Sequence, residues 1–172
     1  MHDSALSTPN SAPAAAADPL WQRQLGLLLE STGEGIFGID LDGHCMFINQ
    51  AGARMLGWAP GEVLGRSMHE LTHHSHADGS VYPDTACPIF NAFRQGLPCR
   101  IDTEVFWRRD GTPFAVEYSS HPILDGARVR GAVITFLDIT ERKRAEQALQ
   151  KAKDELELRG AERTRALSAG LV

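Results

Sequence analysis

A chain of 172 residues has room for one ordinary domain plus appendages. Its 42% apolar and 23% charged content is that of a soluble globular protein, and a formal charge of −5 weighs against a nucleic-acid surface. Three cysteines (Cys45, Cys87 and Cys99) without CxxC spacing argue against a disulfide framework and for a reducing cytoplasm, and no apolar run reaches the roughly 18 residues that span a bilayer.

Residues 1–18 are rich in Ala, Ser and Pro and lack a basic start followed by a long apolar block. They read as a disordered leader rather than a secretory signal. Asp18-Pro19 then has the form of a helix start, and Trp21, Leu25, Leu28 and Leu29 recur on one helical stripe, predicting a helix over 19–33. IFGID and CMFIN flank an Asp42-Gly43 turn and predict a hairpin over 35–50. Asn49 is placed to cap a helix carrying Ala51, Ala53, Met55 and Leu56, which Gly57, Pro60 and Gly61 end.

Residues 69–90 are the least regular segment and hold four of the seven histidines, His69, His73, His74 and His76. Cys87-Pro88 then opens an apolar helix reaching Phe93 and Gly96. Two alternating strands follow: Ile101, Thr103, Val105 and Trp107 on one, Phe114, Val116 and Tyr118 on the next, with Asp110-Gly111 between them. Val133–Leu137 is a β-branched and aromatic run that reads as a strand buried on both faces. Five strands with helices concentrated between the second and third indicate an α+β antiparallel sheet.

At Asp138-Ile139-Thr140 the composition turns to Glu, Arg, Lys, Ala and Gln, which favours helix. Asp138 or Thr140 can cap it, and Asp138 with Glu141 has capping-box spacing. The helix is expected over 141–165, with a tail at 166–172. Ala145, Leu149, Ala152 and Leu156 form a seam spaced alternately by four and three, the rhythm of a two-helix coiled coil. Arg159 and Arg163 hold the next seam positions and Gly160 interrupts the pattern.

A closing strand that ends in Asp-Ile-Thr-Glu-Arg and runs into a charged helix resembles the PAS sensory-domain family. GIFGIDLDGHCMFINQAGARMLGW (35–58) looks like the family's first two strands and first short helix. GEVLGRSMHELTH (61–73) looks like its next helical turns, and FWRRDGTPFAVEYSSHPI (106–123) like its third-to-fourth-strand hairpin. The resemblance covers residues 20–150 and places the PAS domain itself at 34–140. It implies a five-stranded antiparallel sheet with helices on one face, an N-terminal cap helix and a C-terminal signalling helix.

The function so implied is that of a non-catalytic sensory and dimerisation module of bacterial signal transduction, such as a two-component system. It would relay a ligand or redox state from a cavity, through Asp138, Ile139 and Thr140, to the final helix. Its partners would be a second copy, joined through Trp21, Leu25, Leu28, Leu29, Ala145, Leu149, Ala152 and Leu156, and a downstream effector domain or signalling protein. Neither nucleic acid nor membrane is expected. The implied cavity is lined by Phe37, Ile39, Phe47, Met55, Phe90, Phe93, Val105, Phe114, Val116, Tyr118, Ile134 and Phe136, with core packing the ordinary role of each. Tyr118 is the polar candidate for orienting a ligand, because a buried hydroxyl needs a partner.

Rival chemistries centre on residues 67–90. His69-Glu70-Leu71-Thr72-His73 matches the HExxH pattern of zinc metalloproteases. Ser75, Asp78 and Gly79 follow at once, leaving little helix, and the extended pattern wants glycine at 76 and histidine at 79, where the chain has His76 and Gly79. His73, His74, His76 and Cys87 make a second metal set of zinc-compatible types without the spacing of a structural zinc motif. The best-known haem-binding PAS domains carry their axial ligand on the helix that falls here at 87–95, which has no histidine, so Cys87 or a loop histidine would have to serve. A covalent flavin adduct requires an Asn-Cys-Arg-Phe-Leu-Gln-like helix start, which Thr85-Ala86-Cys87-Pro88-Ile89-Phe90 is not. The cofactor reading is therefore none or a small molecule, with haem or metal left open. A thiol at a helix start would also make Cys87 redox-responsive if its pKa were lowered. Ser67-Met68-His69-Glu70-Leu71 imitates a histidine-kinase phospho-acceptor box but lacks the following Arg-Thr-Pro, and no Gly-rich nucleotide loop follows.

Overall fold

A computed structural model describes residues 19–170. The leader expected at 1–18 and the last two residues of the tail lie outside that range. The strands β1 (Gly35–Ile39), β2 (Cys45–Ile48), β3 (Cys99–Trp107), β4 (Pro113–Asp125) and β5 (Arg128–Asp138) form one antiparallel sheet in the order β2-β1-β5-β4-β3. Alternation along β4 sends Phe114, Val116, Tyr118 and Ser120 inward, and β5 contributes Ile134 and Phe136 to the same face.

Among the described residues six α-helices accompany the sheet: α1 (Pro19–Ser31), α2 (Gln50–Leu56), α3 (Pro60–Val63), α4 (Met68–Thr72), α5 (Pro88–Arg94) and α6 (Thr140–Ala169). Leu56, Val63, Met68, Leu71, Ile89, Phe90 and Phe93, from α2 to α5, pack on the inner face of the sheet and close a single core. Asn49 starts α2 as expected, and does more. Its Oδ1 accepts from the Gly52 and Ile36 amides, each at 2.8 Å, and its Nδ2 donates to the Leu29 and Glu34 carbonyls, each at 2.9 Å. One buried side chain thereby ties α1, β1 and α2 together.

Three sequence expectations about strand faces are corrected by the structure. A bulge between Gly38 and Ile39 puts Phe47 opposite Gly38, with its ring lying over that glycine on the outer face, so Phe47 does not line the interior. A second bulge, between Ile101 and Glu104, inverts the parity of β3. Phe106 and Glu104, not Val105, therefore share the inner face with Phe114 and Val116. Finally, β5 is buried on one face only, because Val133 and Thr135 are half-exposed and Leu137 is exposed on the other. Gly131, at φ 152°, lets β5 pass against the Ile39 carbonyl, where any Cβ would collide.

Two helices stand away from the core. On α1, Trp21, Leu25 and Leu28 are exposed and Leu29 is half-buried. Helix α6 runs unbroken through Gly160 for 30 residues, roughly 45 Å, beyond the expected end at 165. None of its residues is buried. Among the described residues no helix is long and apolar enough to cross a membrane.

Candidate functional site

Because the β3 bulge turns Glu104 inward, a half-buried carboxylate sits against the aromatic core, where an uncompensated charge would be costly. Three groups compensate it. Tyr82 donates to Oε1 and Tyr118 to Oε2, each at 2.7 Å, and His73 Nε2 stands 3.0 Å from Oε2 at an angle too bent for a straight hydrogen bond. Burial alone would raise this carboxyl, but the close His73 ring and the Tyr118 and Tyr82 hydroxyl donors hold it at about 2. Burial and the carboxylate in turn push the Tyr82 and Tyr118 hydroxyls up.

The other members arrive from α4, from the loop after it and from α5. Ser67 caps α4 by accepting from the Glu70 amide at 3.3 Å, and one helical turn brings His69 and His73 to the same side. The loop 74–83 crosses the edge of β3, pinned where Trp107 Nε1 donates to the Ser75 carbonyl at 2.8 Å, and delivers Tyr82. Cys87 caps α5, and its sulfur lies 3.4 Å from His73 Nδ1. His69 Nε2 is 2.8 Å from the Tyr82 carbonyl, while its Nδ1 is buried with no partner. Burial pushes the His69 imidazole down and the Cys87 thiol up to about 11, although the Phe90 and Ile89 amides pull the thiol the other way. A low-pKa, redox-responsive Cys87 is thus corrected. Its thiol is at a helix start, but burial outweighs the helix.

The metal and protease readings are rearranged by the same geometry. His74 is exposed, stacked on Trp107 and 2.7 Å from the Ser75 hydroxyl, and His76 is stacked on Tyr82, so neither joins His73 and Cys87. His69 takes their place: one ring nitrogen of His69, one of His73 and the Cys87 sulfur lie within 4.8 Å of one another. Glu70 is exposed on a five-residue helix, away from both histidines' buried side, and has no reach to act as their general base.

Of the expected cavity residues, Phe37, Ile39, Phe90, Phe93, Phe114, Val116, Tyr118, Ile134 and Phe136 are buried together, and Met55 packs half-buried against them. They fill the space between sheet and helices. The interior void left beside His69, His73 and Cys87 is about 10 Å3, at the threshold for one water molecule. A porphyrin or a flavin ring does not fit there. A second void of about 60 Å3 opens under the 74–83 loop onto His73, Tyr82 and Glu104. Sequence reasoning missed Glu104 and Tyr82. A lone glutamate between Thr103 and Val105 was the available signal, and the bulge hid which way it pointed.

The joint at the end of β5 is built from the same strands. Ile139 is buried, and its amide donates to the Ala115 carbonyl at 2.9 Å. Asp138 Oδ1 accepts from the Thr140 amide at 2.9 Å, and Oδ2 accepts from Arg108 at 2.6 Å. Asp138 therefore secures the first amide of α6. Thr140, whose hydroxyl has no partner, does not cap it, and Glu141 pairs with Arg144 instead of closing a capping box. Burial would raise the Asp138 carboxyl, but the Thr140 and Arg108 bonds outweigh it and leave it below its ordinary value. Arg142, in the first turn of α6, reaches back to Glu117 on β4 at 2.9 Å.

A family model described as the PAS fold matches residues 23–139. Among curated proteins the chain is 28% identical over 125 residues to a probable diguanylate cyclase, DgcE, of Escherichia coli strain K12; the match takes in 72% of this chain but only 11% of that protein's length. Among solved structures it is similar to an RNA-binding light-oxygen-voltage receptor, with a TM-score of 0.62 and 25% identity over 87% of this chain and 41% of that one. It is also similar to the PAS domain of a Colwellia psychrerythraea protein, with a TM-score of 0.56 and 22% identity over 72% of this chain and 99% of that one. PAS domains are typical sensory modules of signalling proteins, histidine kinases and diguanylate cyclases among them, and are generally non-catalytic. The matched span takes in the whole sheet, the polar cluster and all but the last residue of the joint, and this chain belongs to the PAS family.

Proposed function

We propose that this chain is a sensory and dimerisation module that relays the state of the buried Glu104 cluster to α6, and through it to an effector, without a chemical step of its own. The observation that carries this reading is a row of side chains along β3 and one residue past its end. Glu104 binds His73, Tyr82 and Tyr118 at one end. Phe106 stacks on Tyr118 with ring centroids 5.4 Å apart. Arg108 lies over the Phe114 ring at 4.2 Å and holds Asp138 at the other end. A change in the cluster's charge or bonding therefore bears on the residue that fastens α6, through groups already in contact. Such a relay works only to the extent that the signal binds the two arrangements differently.

Dimerisation is supported by the exposed apolar stripe of α1 and by the seam on α6, where Leu149 is 73% and Leu156 68% exposed. A second copy of the same chain satisfies both at once. The test is a distance measurement by electron spin resonance between labels on α6 and on β4. Glu104→Gln is expected to shift that distribution. Arg108→Ala, which cuts the row, is expected to leave α6 unresponsive to Glu104→Gln. An α6 distribution identical in wild type and Glu104→Gln would overturn the relay.

A further inference from the structure

The relay reading leaves open what the cluster senses, and the following deepens it at that same site. We propose that His69, His73 and Cys87 bind a single borderline-soft divalent ion of the zinc class, held inside the core by two imidazoles and one thiolate. Three independent features of the geometry carry this.

The first is convergence. The three donors come from the start and end of α4 and from the cap of α5, are at least nine-tenths buried, and lie within 4.8 Å of one another. Zinc bonds of about 2.0–2.1 Å to nitrogen and about 2.3 Å to sulfur place tetrahedral ligands roughly 3.3–3.8 Å apart. The His73–Cys87 pair already stands at 3.4 Å. The small void that all three line supplies a place for the ion.

The second is the tautomer of each ring. His69 Nε2 is taken by the Tyr82 carbonyl and His73 Nε2 faces the Glu104 carboxylate, so both protons belong on Nε2. Each ring is thereby left with an unprotonated Nδ1. On His73 that nitrogen faces the Cys87 sulfur, and on His69 it is buried without any partner. A histidine whose outer nitrogen is fixed by a carboxylate or a carbonyl while the inner one is free is the arrangement found around protein-bound zinc. A buried orphan nitrogen otherwise has no compensation.

The third is charge. On binding, the Cys87 S–H bond breaks and its proton leaves to solvent as the sulfur–metal bond forms. The ion's two positive charges are then balanced by one thiolate and by Glu104, two bonds of contact away through His73. Without the ion the same pocket keeps a protonated thiol and one carboxylate. The ring of Tyr82, Phe106 and Tyr118 around His73, at 4.8–5.9 Å between centroids, keeps competing water out.

Cobalt(II) serves as the probe, titrated into the metal-free full chain. The expected result is one equivalent bound, with thiolate-to-cobalt charge-transfer absorption in the near ultraviolet and tetrahedral d–d bands in the visible, both abolished by stoichiometric zinc. Cys87→Ser is expected to remove the charge-transfer band, and His69→Gln to lower affinity at least tenfold. Glu104→Gln, acting through His73, should weaken binding about 10–100-fold. His74→Ala and His76→Ala should change nothing. Circular dichroism on each variant ensures that only folded protein is scored. No charge-transfer band in folded wild-type protein, or a band that survives Cys87→Ser, overturns the metal site. The two readings fail separately: cobalt bound with α6 distances unmoved by it or by Glu104→Gln leaves the site and removes the relay, whereas no cobalt but an α6 response to Glu104→Gln does the reverse.

Discussion

Glu104 shows how much one inward-turned side chain can decide. Two tyrosine hydroxyls and an imidazole depend on its carboxylate, so truncation orphans three buried polar groups at once. Glu104→Ala is therefore expected to destabilise the fold by about 3–5 kcal/mol, the range for breaking a buried ionic network from one side. Glu104→Gln keeps the shape and an acceptor oxygen, and should cost about 1–2 kcal/mol. Urea unfolding followed by tryptophan fluorescence measures both; equal, small losses for the two variants would mean that the cluster contributes no specific stability. At this scale the sequence was only partly legible. Phe37, Phe93, Val116 and Phe136 could be read as core because their periodicity is uninterrupted. Glu104, Phe106 and Val105 could not be assigned to the correct faces, because one extra residue at 102–103 reverses inside and outside and leaves no compositional mark. His69 and His73 were legible as a pair one helical turn apart, but Cys87 joins them only through tertiary packing, 14 residues along the chain from His73.

Elements were easier to read than faces. Asp-Gly turns, the Asn49 cap and the compositional change at residue 138 are local signals, and the hairpins, α2 and α6 follow them. What stayed hidden was how α6 is fastened, since Arg108 and Ala115 reach the joint from other strands. That fastening carries a pH signature. The Asp138 carboxyl lies below its ordinary value of 3.8 in the folded chain, so its contribution is complete above that value and is lost as pH falls through the lower, folded one. Protection of the amides of Thr140 and the turn after it, taken relative to the intrinsic exchange rate at each pH, should therefore fall only below pH 3.8 in the wild type. In Asp138→Asn the same amides should exchange faster already at neutral pH, with no further step specific to this acid window. Matching profiles in the two proteins would detach Asp138 from the joint. Ile139 supplies the part that does not titrate: it is 2% exposed, and Ile139→Ala should cost about 2–4 kcal/mol and free the start of α6 at every pH.

The molecule as a whole has an asymmetry that a single copy does not resolve. Its core is closed and nearly void-free on one side of the sheet, while α1, the outer face of β5 and the whole of α6 present apolar side chains to solvent. Two heptads with alanine at alternate seam positions associate weakly alone. A seam that starts a few residues after a joint tied to β4 and Arg108 gains from whatever the domain and α1 add, because the second contact then forms at high effective concentration. Leu149→Glu with Leu156→Glu is accordingly expected to convert a dimer to a monomer in size-exclusion chromatography with light scattering. Both side chains are exposed in the single copy, so the unfolding free energy of the monomeric domain should move by no more than about 0.5 kcal/mol. Trp21→Ser with Leu28→Ser should weaken the dimer by a smaller factor. If the double-glutamate variant remains a dimer while the α1 variant dissociates, α6 is free to swing relative to its counterpart, and the relay must end in a change of exposure along one helix rather than in a change of pose between two.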